Sequence, residues 1–181
     1  AYPLHKARVV APGSDVTLVA YGPLVTTAVQ AAKIAAGEGR SIEVIDLRSI
    51  SPLDVDTVAD SVRRTGRMVY AQEAPGNVSV GSEIAATVME RAFFALEAPV
   101  LRVSGFDVPF PPAKLEGTYL PDADRILEAV EAAGGDGARL SLSGDLPYPE
   151  GRAAAEVLKV GDTAEGASEN KRGLRLIVGQ A

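Results

Sequence analysis

The sequence has no cysteine, so disulfides, thiolate nucleophiles and Cys-ligated zinc or iron–sulfur sites are excluded from the start. It has one histidine, His5, close to the N-terminal end, which leaves no multi-His metal site and no Ser–His–Asp triad built away from that end. Positive charge is also short. Lys and Arg number 18 against 24 Asp and Glu, a net charge of −6, whereas nucleic acid and anionic membranes both call for a basic face. No apolar run approaches the roughly 18 residues that a membrane-crossing helix needs. The chain opens Ala1-Tyr2-Pro3, with neither Met nor a charged-then-apolar leader, which leads us to expect a piece of a larger cytoplasmic protein without a signal peptide.

What is present is ordinary globular composition, 46% hydrophobic and 23% charged over 181 residues, enough for one domain with a core. Two regions differ. Nine of the 18 glycines fall at or after Gly134, so residues 1–133 are expected to form the domain and 134–181 a Gly-rich linker and tail of unknown role. In the tail, Glu156 to Val160 and Leu174 to Val178 could form short strands, too few for a core of their own.

The front region alternates two periodicities. Asp15 to Ala20, Ser41 to Leu47, Arg67 to Ala71 and Val100 to Ser104 are short apolar runs without clean alternation, as strands covered on both faces should be. Helix-period segments lie between and after them. Leu24, Ala28, Ala31, Ala32 and Ala35 share one face of a helix that stops at Gly37. Ser51-Pro52-Leu53-Asp54 reads as a helix start, with Ser51 as the cap and Pro52 in the first turn, and Gly66 as the stop. Val80 to Leu96 and a helix opening at Pro121-Asp122 complete the set. The order β-α-β-α-β-α-β-α predicts a three-layer α/β fold on a parallel sheet, with Lys6 to Val10 as a possible edge strand.

Parallel sheets of this kind bind ligands at the carboxyl ends of their strands. The loops there are thin in chemistry. Tyr21-Gly22-Pro23 lacks the glycine pattern of a dinucleotide or phosphate cradle and reads as a tight turn, and Asp46 and Arg48 read as a surface pair. The loop from Gln72 to Glu83 sets a carboxylate, a proline and two glycines before a helix. The next, Gly105 to Pro112, carries three prolines in four positions and two aromatic anchors, Phe106 and Phe110. Glu97 reads as a solvated acid and His5 as a non-catalytic residue. No acid–base couple emerges.

These same stretches carry a resemblance. They are Gly13 to Gly22 (GSDVTLVAYG), Glu43 to Asp54 (EVIDLRSISPLD), Glu73-Ala74-Pro75, Ala98 to Val103 (APVLRV), Asp107 to Pro112 (DVPFPP) and Tyr119-Leu120-Pro121. In this order, from about Leu4 to Ala133, they resemble the C-terminal domain of transketolase-type enzymes. The nearest likeness is to the beta subunit of thiamine-dependent 2-oxo acid dehydrogenases, with the branched-chain (2-oxoisovalerate) type ahead of the pyruvate type. The resemblance implies a three-layer α/β/α domain on a five-stranded, mostly parallel sheet. It also implies a heterotetramer of alpha and beta subunits that uses thiamine diphosphate and magnesium, decarboxylates a 2-oxo acid and passes the acyl group to a lipoyl-lysine of a dihydrolipoyl acyltransferase core.

In such enzymes the cofactor and active-site histidines belong to the alpha subunit and to the N-terminal part of the beta subunit. This chain is accordingly expected to be inactive by itself, with no catalytic, cofactor-binding or metal residue of its own. The residues expected at partner interfaces, with the alpha subunit, a second beta subunit or the acyltransferase, are Glu97, Glu73, Gln72, Asp107 and Phe110. Glu97 matches an acidic position of the acyltransferase-docking surface. Gln72 replaces the histidine of the family's His-Glu-Ala-Pro stretch. Two other readings stand beside this one: a free-standing binding module on the same fold, and the equivalent domain of a transketolase or deoxyxylulose-phosphate synthase.

Overall fold

The structure is a computed structural model that describes residues 3–134. The expectations for the tail beyond Gly134 lie outside those residues. In chain order the elements are β1 (Arg8–Ala11), β2 (Val16–Ala20), α1 (Leu24–Gly37), β3 (Ile42–Asp46), α2 (Val55–Thr65), β4 (Met68–Pro75), α3 (Val80–Ala92), β5 (Leu101–Gly105), α4 (Glu116–Tyr119) and α5 (Ala123–Gly134). Single 3-10 turns sit at Phe93–Ala95 and Ala113–Leu115. The sheet order is β1-β3-β2-β4-β5; β2, β3, β4 and β5 are parallel, and β1 lies antiparallel on β3.

Alternation along β2 divides the core. Val16, Leu18 and Ala20 join Ile42, Val44, Val69 and Ala71 beneath α1 and α5, whose alanines and Ile126, Val130 close the layer. Val19 points the other way, with Ile45, Met68 and Tyr70, and meets Val58 and Val62 of α2 and Ile84 and Val88 of α3. This is the expected three-layer α/β/α sandwich on a five-stranded, mostly parallel sheet. Small residues on α1 let that helix sit close to the strands.

Apart from the Tyr70 hydroxyl, the polar groups buried between β2, β3 and α2 are paired. Thr17 Oγ1 lies 2.6 Å from Ser61 Oγ and 2.7 Å from Thr65 Oγ1, so β2 and α2 are joined by hydroxyls inside the core. Ser61 also donates to Glu43, a buried carboxylate of β3 that Arg64 caps from the surface. Buried polar groups persist in this way only when satisfied.

Several boundaries differ from the sequence expectation for physical reasons. The second helix starts at Val55, and its cap is Asp54, not Ser51. Asp54 accepts from Thr57 N–H (3.4 Å) and Thr57 Oγ1 (2.6 Å), and also from Ala7 N–H (3.0 Å) and Lys6 Nζ (3.1 Å). A serine could not satisfy that many donors. The Ser51–Pro52 peptide is cis and lies in the loop before the helix. β4 continues four residues past Ala71 because Gln72, polar yet buried, is bonded within its own loop. The helix from Val80 gives way to the 3-10 turn after Ala92. Asp46 and Arg48 are joined through the Arg48 backbone N–H (2.9 Å), while the Arg48 guanidinium reaches the carbonyls of Pro3 and Lys6. His5 is exposed.

Asp54 therefore ties the N-terminal segment to α2. Burial by itself would raise its pKa, but the hydrogen bonds from Thr57, Ala7 and Lys6 outweigh burial and hold the carboxyl below the ordinary aspartate value. Asp54→Asn places an amide donor among donors and is expected to lower unfolding stability by about 1–3 kcal/mol at pH 7 in urea titrations. Because the folded-state pKa is the lower one, the carboxylate's contribution is full above the unfolded value of about 3.9 and is lost as pH falls through the folded value. The wild-type advantage over Asp54→Asn should accordingly shrink on acidification below about pH 4.

Candidate interaction surface

Helix α1 leaves β2 on one face of the sheet and α3 leaves β4 on the other, so the topological switch lies between these neighbouring strands. Tyr21 packs on the second core layer, and its phenol is pushed up in pKa by burial and then by the Glu73 carboxylate. Tyr70 is fully buried, its hydroxyl lacks a hydrogen-bond partner, and burial raises its pKa strongly. Its ring lies against Gly81, where a Cβ would come within 2.6 Å of two ring carbons, so only glycine fits that first turn of α3.

Gln72 organises the loop that follows. Its amide donates to the carbonyls of Ala74 (3.1 Å) and Pro75 (2.6 Å), and its carbonyl accepts from Gly81 N–H (3.1 Å). With 1% of its surface exposed, Gln72 is an internal clasp, so the expectation of a direct partner contact from its side chain does not match its position. Glu73, one residue on, is half-buried at the strand end. The Gly76 carbonyl then collects Ser79 Oγ (3.1 Å), Ser82 Oγ (3.2 Å) and Arg102 Nη1 (3.1 Å). These bonds hold Val78 at the tip with φ of 45° and its side chain wholly in solvent.

The next loop is fastened to this one and to α5. Asp107 accepts from Asn77 Nδ2 across the two loops. Phe106 and Phe110 meet Tyr119 edge-on, with ring centres 6.3 and 5.1 Å away. Arg125 stacks over Phe106 at 4.8 Å while donating to Ser104 O at 2.7 Å. Phe106, Val108 and Phe110 nonetheless stay more than half exposed. Gln72, Glu73, Asp107 and Phe110 thus gather at the carboxyl end of the sheet.

Glu97 stands at the other end. Its N–H donates to Gly66 O (2.7 Å), and its carboxylate pairs with Arg67 at 2.6 Å. Gly66 ends α2 at φ of 70°, the left-handed conformation that favours glycine, and the flexible Glu97 side chain lies beside it. Glu97, Asp15, Arg40, Arg64 and Arg67 line a cleft of about 400 Å³. Glu97 is more than half exposed, as the sequence led us to expect; its arginine partner, 30 positions earlier, was not anticipated.

The sequence from residue 5 to 126 matches the family model described as transketolase, C-terminal domain. The chain belongs to that family. Among its relatives, the pyruvate dehydrogenase beta subunit of Leifsonia xyli is 65% identical over 129 residues, which are 71% of this chain and 38% of the relative. The 3-methyl-2-oxobutanoate dehydrogenase beta subunit of Mycobacterium tuberculosis is 51% identical, over 71% of this chain and 37% of its own length. Among solved structures, a split-gene transketolase in an inactive tetramer of beta chains superposes with a TM-score of 0.63 at 33% identity, covering 73% of this chain and 42% of that one. The transketolase C-terminal domain seen here therefore spans well under half the length of these curated relatives.

The resemblance implies a diphosphate cofactor with a divalent cation in the complete enzyme, and the start of α3 is not built to hold such a group. The Gly81 N–H is taken by Gln72, and those of Ser82 and Glu83 by Ser79 O, so the start of α3 offers none of these donors to an anion. Among the described residues no three His, Cys, Asp or Glu side chains converge.

Gln72→Leu keeps the volume but strands one buried N–H and two carbonyls. It is expected to cost about 2–3 kcal/mol in chemical denaturation, and to speed hydrogen exchange at the Gly81 amide well beyond the global change.

Proposed function

We propose that this chain is the C-terminal domain of the beta subunit in the decarboxylating component of a 2-oxo acid dehydrogenase complex. The observation that carries the reading is the 65% identity to a pyruvate dehydrogenase beta subunit over 129 residues. The domain supplies assembly surfaces: its strand-end loops are cross-linked by hydrogen bonds and apolar at their tips, and its opposite end presents Glu97 beside an arginine-lined cleft. In this reading the alpha subunit and the N-terminal part of the beta subunit hold thiamine diphosphate and magnesium, which supply the carbanion chemistry of decarboxylation. The acyl group passes to the lipoyl-lysine of a dihydrolipoyl acyltransferase core that docks near Glu97.

The substrate is a 2-oxo acid. Glu73-Ala74-Pro75 favours a branched-chain acid, and the greater identity to the pyruvate-type relative than to the branched-chain one favours pyruvate as a second reading.

The test joins the full-length beta subunit carrying this domain to its alpha subunit and follows decarboxylation with an artificial electron acceptor, offering pyruvate and 3-methyl-2-oxobutanoate in turn. Turnover of either supports the reading and names the type; turnover of neither overturns it. In the same assembly, Glu97→Lys is expected to weaken acyltransferase binding at least tenfold, about 1.4 kcal/mol or more, while artificial-acceptor activity persists. Unchanged binding removes Glu97 from the docking surface.

A further inference from the structure

Between the outer strand β1 and the last turns of α1 lies a groove of about 550 Å³, away from both ends of the sheet. Its floor is apolar, made by Val10 and Ala11 of β1, Val29 and Ala32 of α1 and Ile42 of β3. Val29 and Ala36 both line it, so it follows the helix for about 10 Å at ~1.5 Å per residue, the length of an extended chain of about eight carbons. The charged residues of the lining are Lys33 and Arg40, and no acid lines it.

Both cations are available to a ligand. Lys33 is exposed and has no ion pair with any described residue. Arg40 approaches Glu131 only to 3.7 Å, and that carboxylate stands mostly in solvent, so the contact is weak and readily exchanged. The negative end of α1 does not oppose an anion here, because the carbonyls of Ala35 and Ala36 are taken by the N–H groups of Glu38, Gly39 and Arg40. Nor does β1 invite another strand into the groove. It is four residues long, its pairing shifts register between Val9 and Ala11, and Pro12 follows it, all of which blunt an edge. An apolar trough with two cations and no acid is complementary to a small amphipathic anion.

We propose that this groove binds an aliphatic carboxylate, its alkyl chain on the Val10–Val29–Ile42 floor and its head group held by Arg40 and Lys33. The planar fork of arginine takes a carboxylate through two parallel hydrogen bonds, and the lysine adds a second positive charge. The site goes beyond the subunit reading and does not depend on it.

The experiment titrates octanoate, kept below the concentration at which it self-associates, into the 181-residue chain and follows amide NMR shifts. Saturable shifts centred on residues 10–12, 29–36 and 39–42 are expected, with a Kd of about 1 mM or tighter. 1-Octanol has the chain without the charge and acetate the charge without the chain, and each should bind at least tenfold more weakly. Arg40→Gln and Lys33→Gln should each weaken octanoate at least threefold and leave octanol unchanged. Ala36→Phe, at an exposed helix position, should fill the groove and abolish binding, while Ile34→Ala, outside the lining, should behave as wild type. If Ala36→Phe loses its fold, the Arg40 and Lys33 variants decide the matter by themselves. Octanoate that fails to saturate, binds no better than octanol or shifts a different face overturns the proposal, as does unchanged affinity in both charge variants. A chain that self-associates and becomes monomeric in Ala36→Phe also overturns it, since a second copy is then the occupant.

Discussion

Every residue of β2 is buried, and the remaining architecture is arranged to allow it. A parallel strand at the middle of a sheet has both backbone edges satisfied by neighbours, here β3 and β4, but its two faces need separate covers. Helices α1 and α5 provide one and α2 and α3 the other. The single polar side chain of the strand, Thr17, is admitted because Ser61 and Thr65 meet it from α2. With β2 covered, the loops at its two ends are what the domain offers to the outside.

Those ends differ in chemistry. The carboxyl end is tied by hydrogen bonds, several from arginines to backbone carbonyls, and leaves aliphatic and aromatic groups exposed; the amino end is a mesh of arginines and carboxylates. A single small domain can in this way meet two unlike neighbours at once. The separation is a product of the parallel arrangement, which sends every strand-to-helix loop to one end and every helix-to-strand loop to the other.

Elements set by local pattern were legible in the sequence, and those set by distant partners were not. The alanine face of α1 and the apolar runs of β2 and β3 appear in the structure where periodicity put them, because burial on two faces leaves a direct compositional mark. The cap of α2 was misread because Ser51-Pro52 satisfies a local rule, whereas Asp54 is chosen by Ala7 and Lys6, almost 50 residues earlier. The extent of β4 was missed for a similar reason. Gln72 looks like a loop residue until Gly81 is brought within reach of its carbonyl. Among the site residues, the exposure of Glu97 and Phe110 could be read from their surroundings, but the burial of Gln72 and the Asn77–Asp107 link depend on how two loops fold together.

The pairing of Glu97 with Arg67 has a consequence for any cationic group that approaches it. The acid is already neutralised, so an incoming guanidinium replaces one counter-charge with another instead of adding a pair. Such an exchange leaves the number of ion pairs nearly constant, and its free energy is correspondingly shallow in ionic strength. What Glu97 can confer is therefore choice between partners by geometry, since a planar, two-pronged donor matches the carboxylate better than a point charge does. Tightness has to come from contacts other than this ion pair.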